Sequence, residues 1–220
     1  MVSGAFHSEE TKTMDEQVLV ATRLALHGVA ELLLAGPQFA AADDIRLRVT
    51  PGGFGTVREP HRRVEGDLLV AGDVRVPIAG TAADLAAAIG IEPRALRDVY
   101  QGGPEFSPTD AMRVDAEAVR LVTDAFARAD SALRAFAPDE EPVLWPEHFD
   151  IGVTVHEVNY GVSPGDDYLP EPYAYVGPWN VPEGEFWNAP FGATRPMSGL
   201  PDADAVAAFF REGRTKAAPR

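Results

Sequence analysis

The chain has 220 residues, 45% of them hydrophobic, 24% charged and 9% aromatic, which is ordinary globular usage with enough apolar material for a buried core. Acids outnumber bases 34 to 19 for a net charge of −15, and the one local gathering of arginines, Arg58, Arg62 and Arg63, is broken by Glu59 and Pro60. Nucleic acids and anionic membranes are bound through Lys and Arg, so no nucleic acid and no membrane is expected as a partner.

The chain contains no cysteine, which removes disulfides, thiolate metal sites and a cysteine nucleophile. Residues 1–12 are polar, lack the apolar centre of a signal peptide and read as a flexible lead-in. No run approaches the ~18 apolar residues that span a bilayer, and the expected location is cytoplasmic. From Thr13 to Ala35, Val18, Ala21, Ala25, Val29, Leu32 and Leu33 recur at helical spacing, with Gly36-Pro37 as the expected stop. Ile45, Leu47 and Val49 alternate with arginines as a half-buried strand, and Phe54–Val57 returns after Pro51-Gly52-Gly53. Val64-Glu65, Leu68–Val70 and Val74–Ile78, separated by Gly-Asp pairs, form a meander. Thr81 with Asp84 three residues on is a capping box for a helix ending at Gly90. Glu92–Tyr100 reads as a short helix and Asp115–Ala135 as a long amphipathic one.

Pro138–Pro142 is an acidic, proline-flanked break. It divides a helix/β-meander/helix part, 13–138, from C-terminal strands, an aromatic loop and a terminal helix, 143–220, which are expected to belong to the same compact unit. Beyond the break, Phe149–Tyr160 and Pro172–Val176 read as strands and Asp202–Arg211 as a helix before a basic tail. Between them 177–201 has no periodicity, and long loops of that kind tend to be lids, arms or disordered segments. No internal repeat is visible. The expected fold class is α+β, an antiparallel sheet of short strands packed against two long helices.

Leu144–Trp179 concentrates two tryptophans, four tyrosines, two histidines and six acids. On an extended strand Phe149, Ile151, Val153 and Val155 share one face. Glu157 and Asn159 then fall where that face should continue, so either a bulge near His156 resets the register or the two are held in a polar pocket. His148 and Asp150 share the other face two residues apart, a spacing that suits a metal pair or a histidine oriented by a carboxylate, and equally a hydrogen-bonded structural histidine. Ser163-Pro164-Gly165-Asp166-Asp167 is oxygen-rich like a cation loop, and is also a good turn sequence. Tyr173 and Tyr175 share a strand face as cross-strand packing or as a stacking wall.

Three motifs in this stretch, Trp145-Pro146-Glu147-His148-Phe149-Asp150, Asn159-Tyr160-Gly161-Val162-Ser163-Pro164-Gly165-Asp166 and Pro170-Glu171-Pro172-Tyr173-Ala174-Tyr175, carry a resemblance. The chain resembles a bacterial family, common in actinobacteria, with the same three motifs in the same order; the resemblance implies no particular activity. Two functional readings stand open. In the first, Trp145, Tyr173, Tyr175 and Trp179 wall a small-molecule pocket in which Asn159, Ser163 and Asp166 bind. His148 would be acid/base or ligand there, Asp150 would orient it, Glu157 would be a second carboxylate, and Phe186, Trp187 and Phe191 would belong to a lid. In the second, the chain is a non-catalytic interaction protein whose aromatic C-terminal arm packs on a partner or a second copy in a homo-oligomer. The sequence names no metal, cofactor or reaction.

Overall fold

A computed structural model describes residues 14–101 and 104–218. The expected flexible lead-in, 1–12, lies outside the described residues, as do Gly102, Gly103 and the last two residues of the basic tail. Ten antiparallel strands form a single sheet with helices packed on one face, an α+β architecture. The first helix, α1 (Glu16–Ala42), is capped by Asp15. It leads into β1 (Leu47–Thr50), β2 (Gly53–Thr56), β3 (Arg62–Glu65), β4 (Leu68–Ala71), β5 (Val74–Pro77) and then α2 (Ala82–Ile89). The second run is α3 (Ala116–Phe136), β6 (Val143–Trp145), β7 (Asp150–Val155), β8 (Val158–Ser163), β9 (Tyr173–Pro178), β10 (Ala193–Pro196) and α4 (Ala203–Ala217).

The spatial strand order, β10-β9-β8-β7-β6-β1-β2-β3-β4-β5, places two five-stranded meanders side by side, joined where Leu47 of β1 meets Leu144 of β6. Each meander follows a long helix and precedes a shorter one, so the same order of elements occurs twice although no repeat shows in the sequence. The proline-flanked break at 138–142 connects α3 to β6, and the sheet runs across it.

Alternation along the strands sets the two faces. Leu47, Leu144, Ile151, Val162 and Ala174 are register neighbours facing the helices, as are Phe54, Val64 and Leu69, and all belong to one hydrophobic cluster with α1 and α3. Phe54 meets Phe126 of α3 edge-on at 6.4 Å between ring centroids, and Tyr160 meets Phe136 at 4.5 Å. On the opposite face, the first meander presents Arg48, Arg63 and Arg75, and the second presents Trp145, Asp150, Asn159 and Tyr175. Both outermost strands are four residues long and contain one arginine and a terminal proline: Arg75 and Pro77 in β5, Arg195 and Pro196 in β10.

Several expectations are corrected. Gly36-Pro37 does not stop α1; the helix passes through a π segment, Ala30–Ala35, and continues over Gly36–Ala42. Glu92–Tyr100 is not helical among the described residues, because its amides are taken by α1: Arg94 N–H donates to Leu32 O at 3.0 Å and Leu96 N–H to Glu31 Oε1 at 3.2 Å. Phe149–Tyr160 is not one strand. His156 and Glu157, at φ of 49° and 63°, make a two-residue hairpin turn, which is why the alternation fails there. The stretch 177–201 contains β10 and a 3-10 turn, Met197–Gly199, and the terminal helix continues past Arg211 to Ala217.

By length and composition α1 could cross a membrane, with a mean hydropathy of 1.7 over its most apolar window, but 78% of that window is buried inside this protein as its central core helix.

Candidate functional site

The helix-free face of β6–β9 is built around one tyrosine. Gly152, Gly161 and Tyr175 are register neighbours on β7, β8 and β9, so the two glycines leave a flat floor across which the Tyr175 ring lies. A Cβ at Gly161 would overlap both the Tyr175 hydroxyl and Ile151 O, and one at Gly152 would come within 3.0 Å of that hydroxyl. The ring reaches across two strands, and its hydroxyl donates to Asp150 Oδ2 at the start of β7. Burial pushes the Asp150 carboxyl above its ordinary range, with the Tyr175 hydrogen bond and the His148 charge acting in the opposite direction. Burial also pushes the Tyr175 phenol well above its usual value, and the Asp150 charge adds to it. The pair therefore holds its phenolic proton firmly at neutral pH. The other carboxyl oxygen of Asp150 accepts no side-chain hydrogen bond among the described residues.

Asp150 and Tyr175 form the shared wall of two hollows. One, of about 400 Å³, is lined by Glu140, Trp145, Glu147, His148, Thr154 and Asn159. The other, of about 770 Å³, is bounded by Arg23 and His27 of α1, His148, the Ser163–Tyr168 loop, Tyr173 and Phe191. The three motif segments thus meet at one place, although they are separate in sequence.

Of the residues expected from the sequence, Trp145, His148, Asp150, Asn159, Ser163, Asp166, Tyr173 and Tyr175 line these hollows. His148 lies in the β6–β7 turn with its side chain 66% exposed and its Nε2 3.8 Å from Glu147. The hydrogen-bond partner of Asp150 is Tyr175 and not His148. Glu157 is not brought to them: it occupies the β7–β8 hairpin tip, exposed, roughly 17 Å from Asp150 by strand rise. Trp179, 65% exposed, lies at that same far end, its N–H donating to Glu157 O at 2.9 Å.

Asp166 closes a turn. Its Oδ1 accepts from Tyr168 N at 2.8 Å and Leu169 N at 3.0 Å, and its Oδ2 from the Tyr173 hydroxyl at 2.5 Å. Ser163 Oγ accepts from Gly165 N at 3.1 Å. Among the described residues no group of three or more His, Asp or Glu side chains is arranged to hold a metal ion. Of the expected lid, Phe191 borders the larger hollow, while Phe186 packs on Phe209 of α4 with centroids 5.7 Å apart, and Trp187 packs on Phe186.

Two lining residues escape a reading centred on the C-terminal third, Arg23 and His27 on α1. With Glu31 they recur every four residues, and all three are buried. That spacing puts them in one row on the helix, and the visible signal is an ionisable residue at each of i, i+4 and i+8 within an otherwise apolar segment.

Compared with protein-family models, curated proteins and solved structures, the chain matches none.

Proposed function

We propose that this protein binds a small molecule at the Asp150 end of its second meander, with Asp150 as the hydrogen-bonding anchor and Trp145 and Tyr175 as apolar walls. One observation carries the reading: a half-buried carboxyl, fixed by Tyr175 over the Gly152–Gly161 floor, stands between two hollows with one oxygen free of side-chain partners among the described residues. Its remaining accepting capacity faces the hollows, where a ligand hydroxyl or amino group would use it in place of water. The convergence of all three family-like motifs on this spot supports the same reading. A cytoplasmic setting fits it, since α1 spends its apolar surface on the protein's own core.

A thermal-shift screen of polar metabolites, followed by calorimetric titration of hits, tests the proposal. A ligand at 100 times its Kd should stabilise the protein by about 2.7 kcal/mol. Asp150→Asn should weaken binding at least tenfold, about 1.4 kcal/mol, whereas Trp179→Ala, at the far strand end, should leave it unchanged. A panel without a hit, or a hit bound equally well by Asp150→Asn, would overturn the reading.

The second reading, an interaction protein, draws on the exposed Tyr168, Trp179, Val181 and Phe191, which gather apolar surface around the 168–191 segment. Light scattering distinguishes it: a self-associating arm gives a dimer mass that Trp179→Ala lowers to that of the monomer.

A further inference from the structure

The buried row on α1 can be accounted for group by group. Glu31 accepts from Leu96 N and from the Tyr100 hydroxyl at 2.9 Å, and His27 Nε2 donates to Pro146 O at 2.7 Å. Arg23 differs. The residue is 7% exposed, yet of its five N–H donors the guanidinium uses one, from Nη1 to Pro170 O at a long 3.3 Å. It makes no ion pair with a carboxylate among the described residues. Asp166 and Asp167 act on it through their charge from beyond ion-pair distance, and Asp166 has both oxygens committed to Tyr168, Leu169 and Tyr173. The loop is shaped around the guanidinium: Gly165, at φ of 106°, lets the backbone approach so closely that a Cβ there would lie 2.8 Å from Nη1.

No nitrogen of Arg23 is both fully buried and unpaired, so its spare donors open to solvent where an anion can reach them, and its planar fork matches two oxygens of a carboxylate or phosphate. Arg23 borders the 770 Å³ hollow that Asp150 also borders, a volume suited to a metabolite-sized ligand. Glu147 and Asp167 border the same hollow and oppose a purely anionic occupant, so they favour a ligand whose other end donates hydrogen bonds.

We infer that Arg23 is the recognition group for the anionic end, carboxylate or phosphate, of a small molecule whose opposite end carries a hydroxyl or amino group directed to Asp150. The inference rests on the small-molecule reading above and specifies its ligand. Arg23 supplies charge and geometry from α1, and the Gly165–Pro170 loop holds the guanidinium in place.

The probes are hydroxy acids, amino acids and sugar phosphates, each paired with its neutral amide or dephosphorylated analogue and titrated calorimetrically into the full chain. At least one anionic member should bind at least thirtyfold more tightly than its neutral partner, and the carboxylate and phosphate arms decide between the two anion types. Arg23→Lys keeps the charge and loses the fork; it should retain the melting profile and lose at least tenfold in affinity for the anionic member, with the neutral analogue unaffected. Equal binding of anionic and neutral partners by the wild type overturns the role of Arg23 while leaving the small-molecule reading in place, and that comparison decides the matter even if the variant does not fold. If no member of either set binds, both fall together.

Discussion

His27 stacks on Phe149 with centroids 5.2 Å apart and meets Phe106 edge-on, and its hydrogen bond to Pro146 O fixes the neutral ring with the proton on Nε2. Burial, first among the causes, pulls its pKa down to about 4 from 6.5. The folded state therefore resists a proton that the unfolded chain accepts, so stability is whole above pH 6.5 and declines as pH falls from 6.5 to 4. The decline attributable to this one ring should be about 3 kcal/mol. Asp150, with its carboxyl raised, works in the opposite sense, its contribution fading as pH rises, and must be separated from it. Urea denaturation at pH 7 and pH 4 of the wild type and of His27→Gln makes that separation, and the wild type should lose about 3 kcal/mol more than the variant; an equal loss would mean that the ring titrates normally. At this scale the sequence was half legible. Crowded polar and aromatic residues pointed to Trp145, Asp150 and Tyr175. Glu157 looked like their companion because His-Glu carries none of the Asn-Gly signature of a tight hairpin turn. Arg23 and His27 give no such signal, because they come from a helix far away in the chain.

The course of α1 depends on a neighbour that local patterns do not display. In the π segment Gly36 N–H bonds back five residues to Glu31 O, and on the same pattern residue 37 would donate to Leu32 O. Pro37 has no N–H, and Arg94 N–H supplies the missing donor at 3.0 Å. The helix thus survives a Gly-Pro pair that ends most helices, and the Arg94 and Leu96 amides are turned to α1 instead of into a helix of their own. Capped elements were readable because their signals are local: Thr81 with Asp84, Asp115 and Asp202 all cap the helices they precede. The exchange between α1 and 92–100 is tertiary, and neither of its sides carries a local signal of it. A Cβ at Gly36 would overlap Arg94 O, a backbone atom with little room to retreat. Gly36→Ala should accordingly cost about 3 kcal/mol in chemical denaturation, as overpacking against backbone does. It should also speed hydrogen exchange at the Arg94 and Leu96 amides; unchanged protection there would show that the contact is dispensable.

Across the whole molecule the two meanders share one sheet and one core, with α3 packed on β1, β2, β7 and β8 and so on strands of both. All three tryptophans, Trp145, Trp179 and Trp187, belong to the second half. Leu69→Ala, in the buried heart of the first half, should cost about 2–5 kcal/mol. It should lower the midpoint seen by tryptophan fluorescence as much as that seen by far-ultraviolet circular dichroism, whereas a fluorescence transition left in place would mean that the halves melt separately. The two outermost strands, with Arg75 and Pro77 at one rim and Arg195 and Pro196 at the other, have a consequence for how this protein meets others. A proline cannot offer an amide to an incoming chain, and a cation resists being zipped beneath one. Lateral growth of the ribbon is barred at both ends, so any encounter that uses its strands must come broadside, onto the open surface where Tyr175 lies.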